Sequence, residues 1–215
     1  MATIVMVIGK SGSGKSTSLR NFSKREVYVI NPMNKPLPFK NEFATSKFTD
    51  YSQIKRAISK CPMDSIVIDD AGYLITEQFM RGHSKMAGNE IYGFYNDIAD
   101  NFYDLVRFAS IQPDNKIIYF MIHEDKNDFG DIKPKTIGKL LDEKVCLEGM
   151  FSIVLRAYGD REKHVFYTQT DGRDVAKSPM DMFDQLEIDN DLKYVDATIR
   201  KYYEKPETKH EEETA

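Results

Sequence analysis

A glycine-rich loop between an apolar run and a helix-forming segment constrains the fold more than any other feature of this sequence. The run Thr3-Ile-Val-Met-Val-Ile8 is apolar and largely β-branched, which is typical of a buried strand. It is followed by Gly9-Lys-Ser-Gly-Ser-Gly14-Lys15-Ser16, which fits the pattern G-x-x-x-x-G-K-[ST]. Residues 16–22 can then begin a helix. A strand, a phosphate-binding loop and a helix in this order predict an α/β fold.

The loop has the residue types that bind the phosphates of a nucleoside triphosphate, and it is the motif known as Walker A. Glycine lets the backbone turn so that successive N–H groups face an anion. Lys15 supplies a charge for the β- and γ-phosphates, and the Ser16 hydroxyl is an oxygen ligand suited to Mg²⁺. The sequence therefore predicts ATP and Mg²⁺ as cofactors. The predicted nucleotide-binding residues are Gly9, Lys10, Ser11, Gly12, Ser13, Gly14, Lys15, Ser16 and Thr17.

Strand-like and helix-like segments alternate along the rest of the chain, which favours a mostly parallel sheet flanked by helices. The predicted strands are 26–30, 65–68, 116–122, 152–158 and 164–169, and the predicted helices are 51–61 and 91–106. Residues 33–42 are expected to form an irregular connection. We expect a single P-loop ATPase domain over residues 1–203 and a disordered acidic tail over residues 204–215.

Composition and charge narrow the function classes. The formal net charge is −4, so binding to nucleic acid requires a local basic patch. Cys61 and Cys146 lack the spacing of metal ligands and are interpreted as ordinary thiols of a reducing compartment. The sequence shows no secretion signal and no apolar run of membrane-spanning length. We therefore expect a cytoplasmic protein with no membrane partner.

A second motif, Ser65-Ile-Val-Ile-Asp69-Asp70, ends an apolar strand with two acids and fits the Walker B pattern. Such a strand carries Asp69 to the carboxyl edge of the sheet, where it can hold Mg²⁺ through a water molecule and orient Ser16. Asp70 is the candidate for the catalytic carboxylate that orients or deprotonates the attacking water. The alternative for an acid in this place is a helix cap or a turn.

His123 ends a further apolar strand, in Tyr119-Phe-Met-Ile-His123-Glu124. If this strand lies beside the Walker strands, His123 reaches the γ-phosphate and can report whether it is present. We therefore add His123 to Lys15 and Asp70 in the candidate catalytic set, with Glu124 as a weaker candidate. A strand-end histidine that faces solvent or a backbone carbonyl is the open alternative.

Together these segments resemble phage-encoded RecA-like ATP-binding proteins of the AAA family, which include single-strand annealing recombinases. The resemblance covers about residues 3–180 and rests on residues 9–17, residues 66–70 and the strand that ends at His123. A later series also fits, namely residues 133–141, 151–170 and 176–178. The resemblance implies a P-loop NTPase with a mostly parallel RecA-like sheet, working as a homo-oligomer in a phage-infected bacterium.

The resemblance also implies partners. Single-stranded DNA and other replication or recombination proteins are expected, with residues 126–144 and 81–88 as candidate DNA-contacting or switch loops. Ordinary solvated loops are the alternative for both segments. RecA has a catalytic glutamate near the end of its second strand, where this chain has Asn31, so hydrolysis is expected to depend on Asp70. The candidate trans-acting fingers of a site between subunits are Arg156, Arg161 and Arg173.

Three classes of function remain. The first is an oligomeric ATPase that handles single-stranded DNA in phage recombination or replication. The second is a nucleotide-dependent assembly protein, such as a helicase loader. The third is a small-molecule or nucleotide kinase, which is disfavoured because the sequence has no arginine-rich lid segment. ATP turnover with and without single-stranded DNA separates the first class from the others.

Overall fold

The computed structural model describes residues 1–138 and 140–205, apart from the side chains of Asp142 and Glu143. Residues 206–215 of the predicted tail therefore lie outside the described residues, as does Lys139. The strands are β1 Thr3–Gly9, β2 Val27–Ile30, β3 Ala44–Ser46, β4 Ser65–Ile68, β5 Ile117–Lys126, β6 Ile132–Pro134, β7 Ile153–Gly159, β8 His164–Tyr167 and β9 Glu187–Asp189. The α-helices are α1 Tyr51–Lys60, α2 Gly72–Gly82, α3 Glu90–Ser110 and α4 Leu192–Tyr202. No helix among these residues is both long and apolar enough to cross a bilayer.

The strands form one sheet in the order β3-β2-β4-β5-β1-β7-β8-β9, with β6 paired to β5 alone. All pairs from β3 to β7 are parallel, while β6, β8 and β9 run antiparallel to their neighbours. The predicted α/β class and mostly parallel sheet are therefore confirmed. Strand β5 lies between β1 and β4, so its carboxyl end separates the phosphate-binding loop from the two acids that follow β4.

Side chains alternate along β1 and fill two separate cores, one on each face of the sheet. Ile4, Met6 and Ile8 pack on the face covered by α1, α2 and α3. Val5 and Val7 pack on the opposite face with residues of α4. Because both faces are covered, the strands can be apolar throughout, as the sequence of β1 predicts.

Several elements differ from the sequence-based expectation. The helix predicted over residues 16–22 is a 3-10 helix at Ser16–Asn21, and α2, α4 and the short strands β3, β6 and β9 were not predicted. Helix α2 has no side-chain cap, since Ala71 precedes it, so the usual start signal is missing. Helix α4 does begin with a cap, because the Asp191 side chain accepts hydrogen bonds from two backbone N–H groups.

A buried polar cluster attaches α4 to the sheet. Asp196 accepts hydrogen bonds from Ser65 Oγ at 2.7 Å, Tyr119 Oη at 2.9 Å and Arg200 Nε at 2.7 Å. Asp196 and Arg200 are 5% and 9% exposed, so water contributes little to either charge. The cluster therefore depends on all its members being present.

We expect Asp196→Ala to lower the free energy of unfolding by about 3–5 kcal/mol, because it leaves the Arg200 charge buried without its partner. Urea unfolding followed by circular dichroism measures the change. Lys201→Ala, at an exposed position of the same helix, is the control and should change stability by less than about 0.5 kcal/mol. A loss below about 1 kcal/mol in Asp196→Ala would contradict this account.

Candidate nucleotide-binding site

The phosphate-binding loop follows β1 and turns back on itself around the Lys15 side chain. Gly12 and Gly14 have φ of 80° and 93°, in the left-handed region that glycine adopts without strain. Lys15 is 5% exposed, and its Nζ donates to the carbonyl oxygens of Gly9 at 2.8 Å and Lys10 at 2.9 Å. Burial lowers the pKa of Lys15 to about 8, although the charges of Asp70 and Asp69 oppose that shift. The loop thus holds a buried cation at the edge of the sheet.

Gly9 is required for a packing reason. A Cβ atom at this position would lie 2.5 Å from the Ala157 carbonyl oxygen of β7. We expect Gly9→Ala to lower the free energy of unfolding by about 1–3 kcal/mol, because a backbone must move to accommodate it. Gly93→Ala is the matched control, since its Cβ meets nothing within 4 Å in helix α3, and it should stabilise by about 0.5–1 kcal/mol. Thermal unfolding compares the two, and equal shifts would contradict the packing argument.

Ser16 and Asp69 meet at the start of the 3-10 helix and the end of β4. The Ser16 hydroxyl is 2.9 Å and 3.1 Å from the two carboxylate oxygens of Asp69. Burial, and then the charge of Asp70, raise the pKa of Asp69 to about 6. An additional cation at this place would favour the ionised carboxylate.

This pair of oxygen donors fits Mg²⁺, which takes a few protein oxygens and completes its octahedron with phosphates and water. The described residues contain no group of three or more His, Cys, Asp or Glu side chains that could hold a metal ion. Ser16 and Asp69 therefore do not belong to a metal site built from such protein side chains alone. They would instead hold a cation that arrives with a nucleotide.

His123 lies between the phosphate-binding loop and Asp70, as its sequence position predicts for a neighbouring strand. In the β1–β5 register it pairs with Gly9. Lys15 Nζ lies 3.5 Å from His123 Nδ1, and His123 Nε2 lies 3.2 Å from Asp70 Oδ1. Since an ammonium can only donate, Nδ1 accepts and the Nε2 proton points at Asp70. The alternative of a histidine facing only solvent is wrong.

Asp70 has both carboxylate oxygens engaged. Oδ1 faces His123, and Oδ2 accepts from Lys35 Nζ at 2.9 Å. Burial alone would raise the pKa of Asp70, but hydrogen bonds from His123 and Lys35, with the Lys35 charge, lower it to about 2. The backbone of Asp70 has φ of 55°, a left-handed conformation that Asp and Asn tolerate better than longer side chains. The conformation of Asp70 is therefore a reason for a short polar side chain at this position.

A cavity of about 720 Å³ joins these groups. One wall is the phosphate-binding loop, and the other consists of the β2–β3 connection, the start of α2 and the segment after β6. Its lining includes the predicted residues Lys10, Ser11, Gly12, Gly14, Lys15, Ser16, Thr17, Asp70 and His123, together with Lys35, Tyr73 and Lys135. Gly9, Ser13 and Asp69 lie behind this surface. Sequence reasoning missed Lys35 and Tyr73, because no motif marks the segments that carry them, and it placed Lys135 in a candidate DNA-contacting segment rather than at the nucleotide site.

Glu124, the weaker sensor candidate, lines the cavity and belongs to an ion-paired cluster. Arg156 Nε lies 3.2 Å from Glu124, and Arg156 Nη1 lies 3.4 Å from Asp174. Both acids have side chains that are 4% exposed. Arg156 is therefore paired with acids of its own chain, whereas Arg161 and Arg173 are exposed.

Parts of the two candidate DNA-contacting segments form regular secondary structure. Residues 126–134 include the turn of a β5–β6 hairpin, whose tip residue Phe129 is 91% exposed. The turn is closed by Asn127, which accepts hydrogen bonds from the backbone N–H groups of Phe129 and Asp131. Residues 81–88, expected to be a loop, begin inside α2 and continue as a 3-10 turn at His83–Lys85.

The fold and this cavity together define a P-loop nucleotide-binding protein. A family model described as AAA domain matches residues 1–180. The chain therefore belongs to the AAA domain family of ATPase-type P-loop proteins. The comparison with curated proteins gave no match. Residues 181–205 extend beyond the matched region and include β9, which pairs with β8, and α4, which packs on the second face of the sheet.

Proposed function

We propose that this protein is a Mg²⁺-dependent, oligomeric ATPase that handles single-stranded DNA in phage recombination or replication. The observation that carries the ATPase part is the convergence of Lys15, His123 and Asp70 on one cavity beside the Ser16–Asp69 pair. The oligomeric state and the DNA client are supported by the resemblance of the sequence to phage RecA-like ATPases.

Each residue has a distinct task in the proposed hydrolysis. The phosphate-binding loop and Lys15 hold the β- and γ-phosphates, and bound Mg²⁺ would neutralise their charge. Asp70 orients a water molecule, whose oxygen forms a bond to the γ-phosphorus while the bond to the bridging oxygen breaks. The electron pair of that bond leaves with ADP, and the proton lost by the water is released with inorganic phosphate. His123 contacts both Lys15 and Asp70, so it can respond to loss of the γ-phosphate.

Strand β5 offers a route from the site to a client. It runs without interruption from Ile117 through His123 to Lys126 and ends in the hairpin that exposes Phe129. A displacement at His123 can therefore move the hairpin. An exposed aromatic ring is a stacking surface for unpaired bases.

ATP turnover measured with and without single-stranded DNA tests this proposal. We expect stimulation by DNA, and salt should weaken DNA binding because phosphate contacts release counterions. Phe129→Ala should reduce the stimulation and leave turnover without DNA unchanged. Turnover that ignores DNA, together with no DNA binding at low salt, would contradict the DNA role.

A nucleotide-dependent assembly protein is the second candidate, and the charge of the hairpin favours it. Asp125, Asp128 and Asp131 outnumber Lys126 and Lys133 in this segment, which opposes binding to phosphates. ATP-dependent association with a protein partner, measured by sedimentation in the absence of DNA affinity, would support this candidate over the first.

A further inference from the structure

We propose that Lys35 is a further catalytic residue, an intrasubunit cation that leaves Asp70 and contacts the γ-phosphate when ATP enters the cavity. The inference rests on the proposed ATPase function. In an active site between subunits, a neighbouring subunit supplies the positive charge that contacts the γ-phosphate. Here Lys35 of the same chain would supply that charge.

Lys35 lies in the irregular connection between β2 and β3 and lines the wall opposite the phosphate-binding loop. Its backbone carbonyl accepts a hydrogen bond from Asn31 Nδ2 at 2.7 Å, which anchors this part of the connection to the end of β2. Its side chain is 51% exposed, whereas the Asp70 side chain that it contacts is 13% exposed. The residue thus has an anchored backbone and a half-exposed side chain.

Two contacts hold the Lys35 ammonium inside the cavity. Nζ is 2.9 Å from Asp70 Oδ2 and 4.7 Å from the centre of the Tyr73 ring. Lys35 is the half-exposed end of this ion pair, and a cation–π contact at an exposed cation is weak in water. A more highly charged anion in the same cavity can therefore displace them.

The charges of the cavity favour that exchange. Lys35 and Lys15 line the same cavity, so their like charges oppose each other. A γ-phosphate between the two walls would carry more negative charge than one carboxylate and would attract both lysines. When Lys35 moves to the phosphate, Asp70 Oδ2 loses its partner and can accept a hydrogen bond from the attacking water. One movement would then complete the phosphate contacts and free the catalytic carboxylate.

Other basic groups near the cavity are less suited to this role. Arg156 is occupied by Glu124 and Asp174. Lys135 lines the same wall at an exposed position, but both carboxylate oxygens of Asp70 are engaged by His123 and Lys35. Lys35 is the lysine whose ammonium directly contacts the proposed catalytic acid.

The test compares Lys35→Met with Lys35→Arg and with a control, Lys40→Met, which makes the same charge change at an exposed position of the same connection. Calorimetry measures binding of ADP and of a non-hydrolysable ATP analogue, and single-turnover kinetics measures hydrolysis. Lys35→Met should bind the analogue about tenfold more weakly with ADP binding unchanged, because only the analogue has a γ-phosphate. Its rate of hydrolysis should fall about 100-fold, with partial recovery in Lys35→Arg and no change in Lys40→Met.

Three results would overturn the proposal. Equal weakening of both nucleotides indicates a general effect on the cavity, and unchanged binding and turnover indicate a solvated lysine. Faster hydrolysis in Lys35→Met indicates that Lys35 only restrains Asp70. If the wild-type protein binds the analogue but does not hydrolyse ATP, the proposed function fails, and the difference between analogue and ADP binding still decides the role of Lys35. If the wild type binds neither nucleotide, both proposals fail.

Discussion

Lys15→Ala is expected to abolish ATP turnover and to weaken ATP binding by about 100-fold. Lys15 lies in a cavity wall where its ammonium is shielded from water, so a phosphate contact there is screened much less than one at the surface. Truncating one partner of a buried charge pair costs on the order of 2–5 kcal/mol of binding. Calorimetric titration with ATP and a phosphate-release assay measure the two effects.

The loss in Lys15→Ala should occur without unfolding. Burial lowers the pKa of Lys15, which means that the folded protein holds the charged ammonium less favourably than water does. Removing the side chain relieves that cost and also removes its hydrogen bonds to the Gly9 and Lys10 carbonyl oxygens, so we expect the free energy of unfolding to change little. Lys60→Ala, an exposed lysine at the end of α1, is the charge-matched control. ATP binding within about threefold of the wild type in Lys15→Ala would contradict the assignment of this loop as the phosphate site.

Asp70→Asn is expected to lower the rate of hydrolysis by about 10²–10⁴-fold, the range for loss of a general base, while ATP binding changes by less than about threefold. Asparagine is the informative substitution, because it keeps the shape of the side chain and tolerates the left-handed backbone at φ of 55°. Single-turnover hydrolysis and calorimetry separate the two effects.

The matched control for Asp70→Asn is Asp97→Asn, which lies at an exposed position of α3 and outside both motifs. It should leave both binding and turnover unchanged. Full turnover in Asp70→Asn would show that another group positions the water. In that case His123, which donates to Asp70, is the next residue to replace.

Most of the architecture can be read from the sequence, because parallel strands and amphipathic helices have strong local patterns. The strand at Ser65–Ile68 was predicted at its observed bounds, and the stripe Phe94, Ile98 and Phe102 is buried as its helical spacing indicates. Helix α2 was missed because it starts without a capping side chain. The strands β3, β6 and β9 have three residues each. This length is too short for the alternation of apolar and polar residues in a strand to be recognised.

The candidate site, like the fold, was predicted only in part from the sequence. The motifs determine the residues of the phosphate-binding loop and the Asp69–Asp70 pair, because their chemistry demands particular residue types at a fixed spacing. They do not determine that Asp70 would be paired with Lys35, since the 34 residues that separate them have no local relation to either motif. They also left three arginines open as trans-acting fingers, and Arg156 is distinguished from the others only by its contacts with Glu124 and Asp174.

The sequence by itself determined that this chain has a strand, a phosphate-binding loop and a carboxylate-ended strand, which are local features encoded over a few residues. Only the tertiary structure decided that β5 lies between β1 and β4, so that His123 contacts Lys15 on one side and Asp70 on the other. Strand order depends on which apolar faces are buried together, and the two cores are formed by residues from distant parts of the chain. No local pattern in a single sequence indicates the order of the strands, because that order is determined by packing between distant segments.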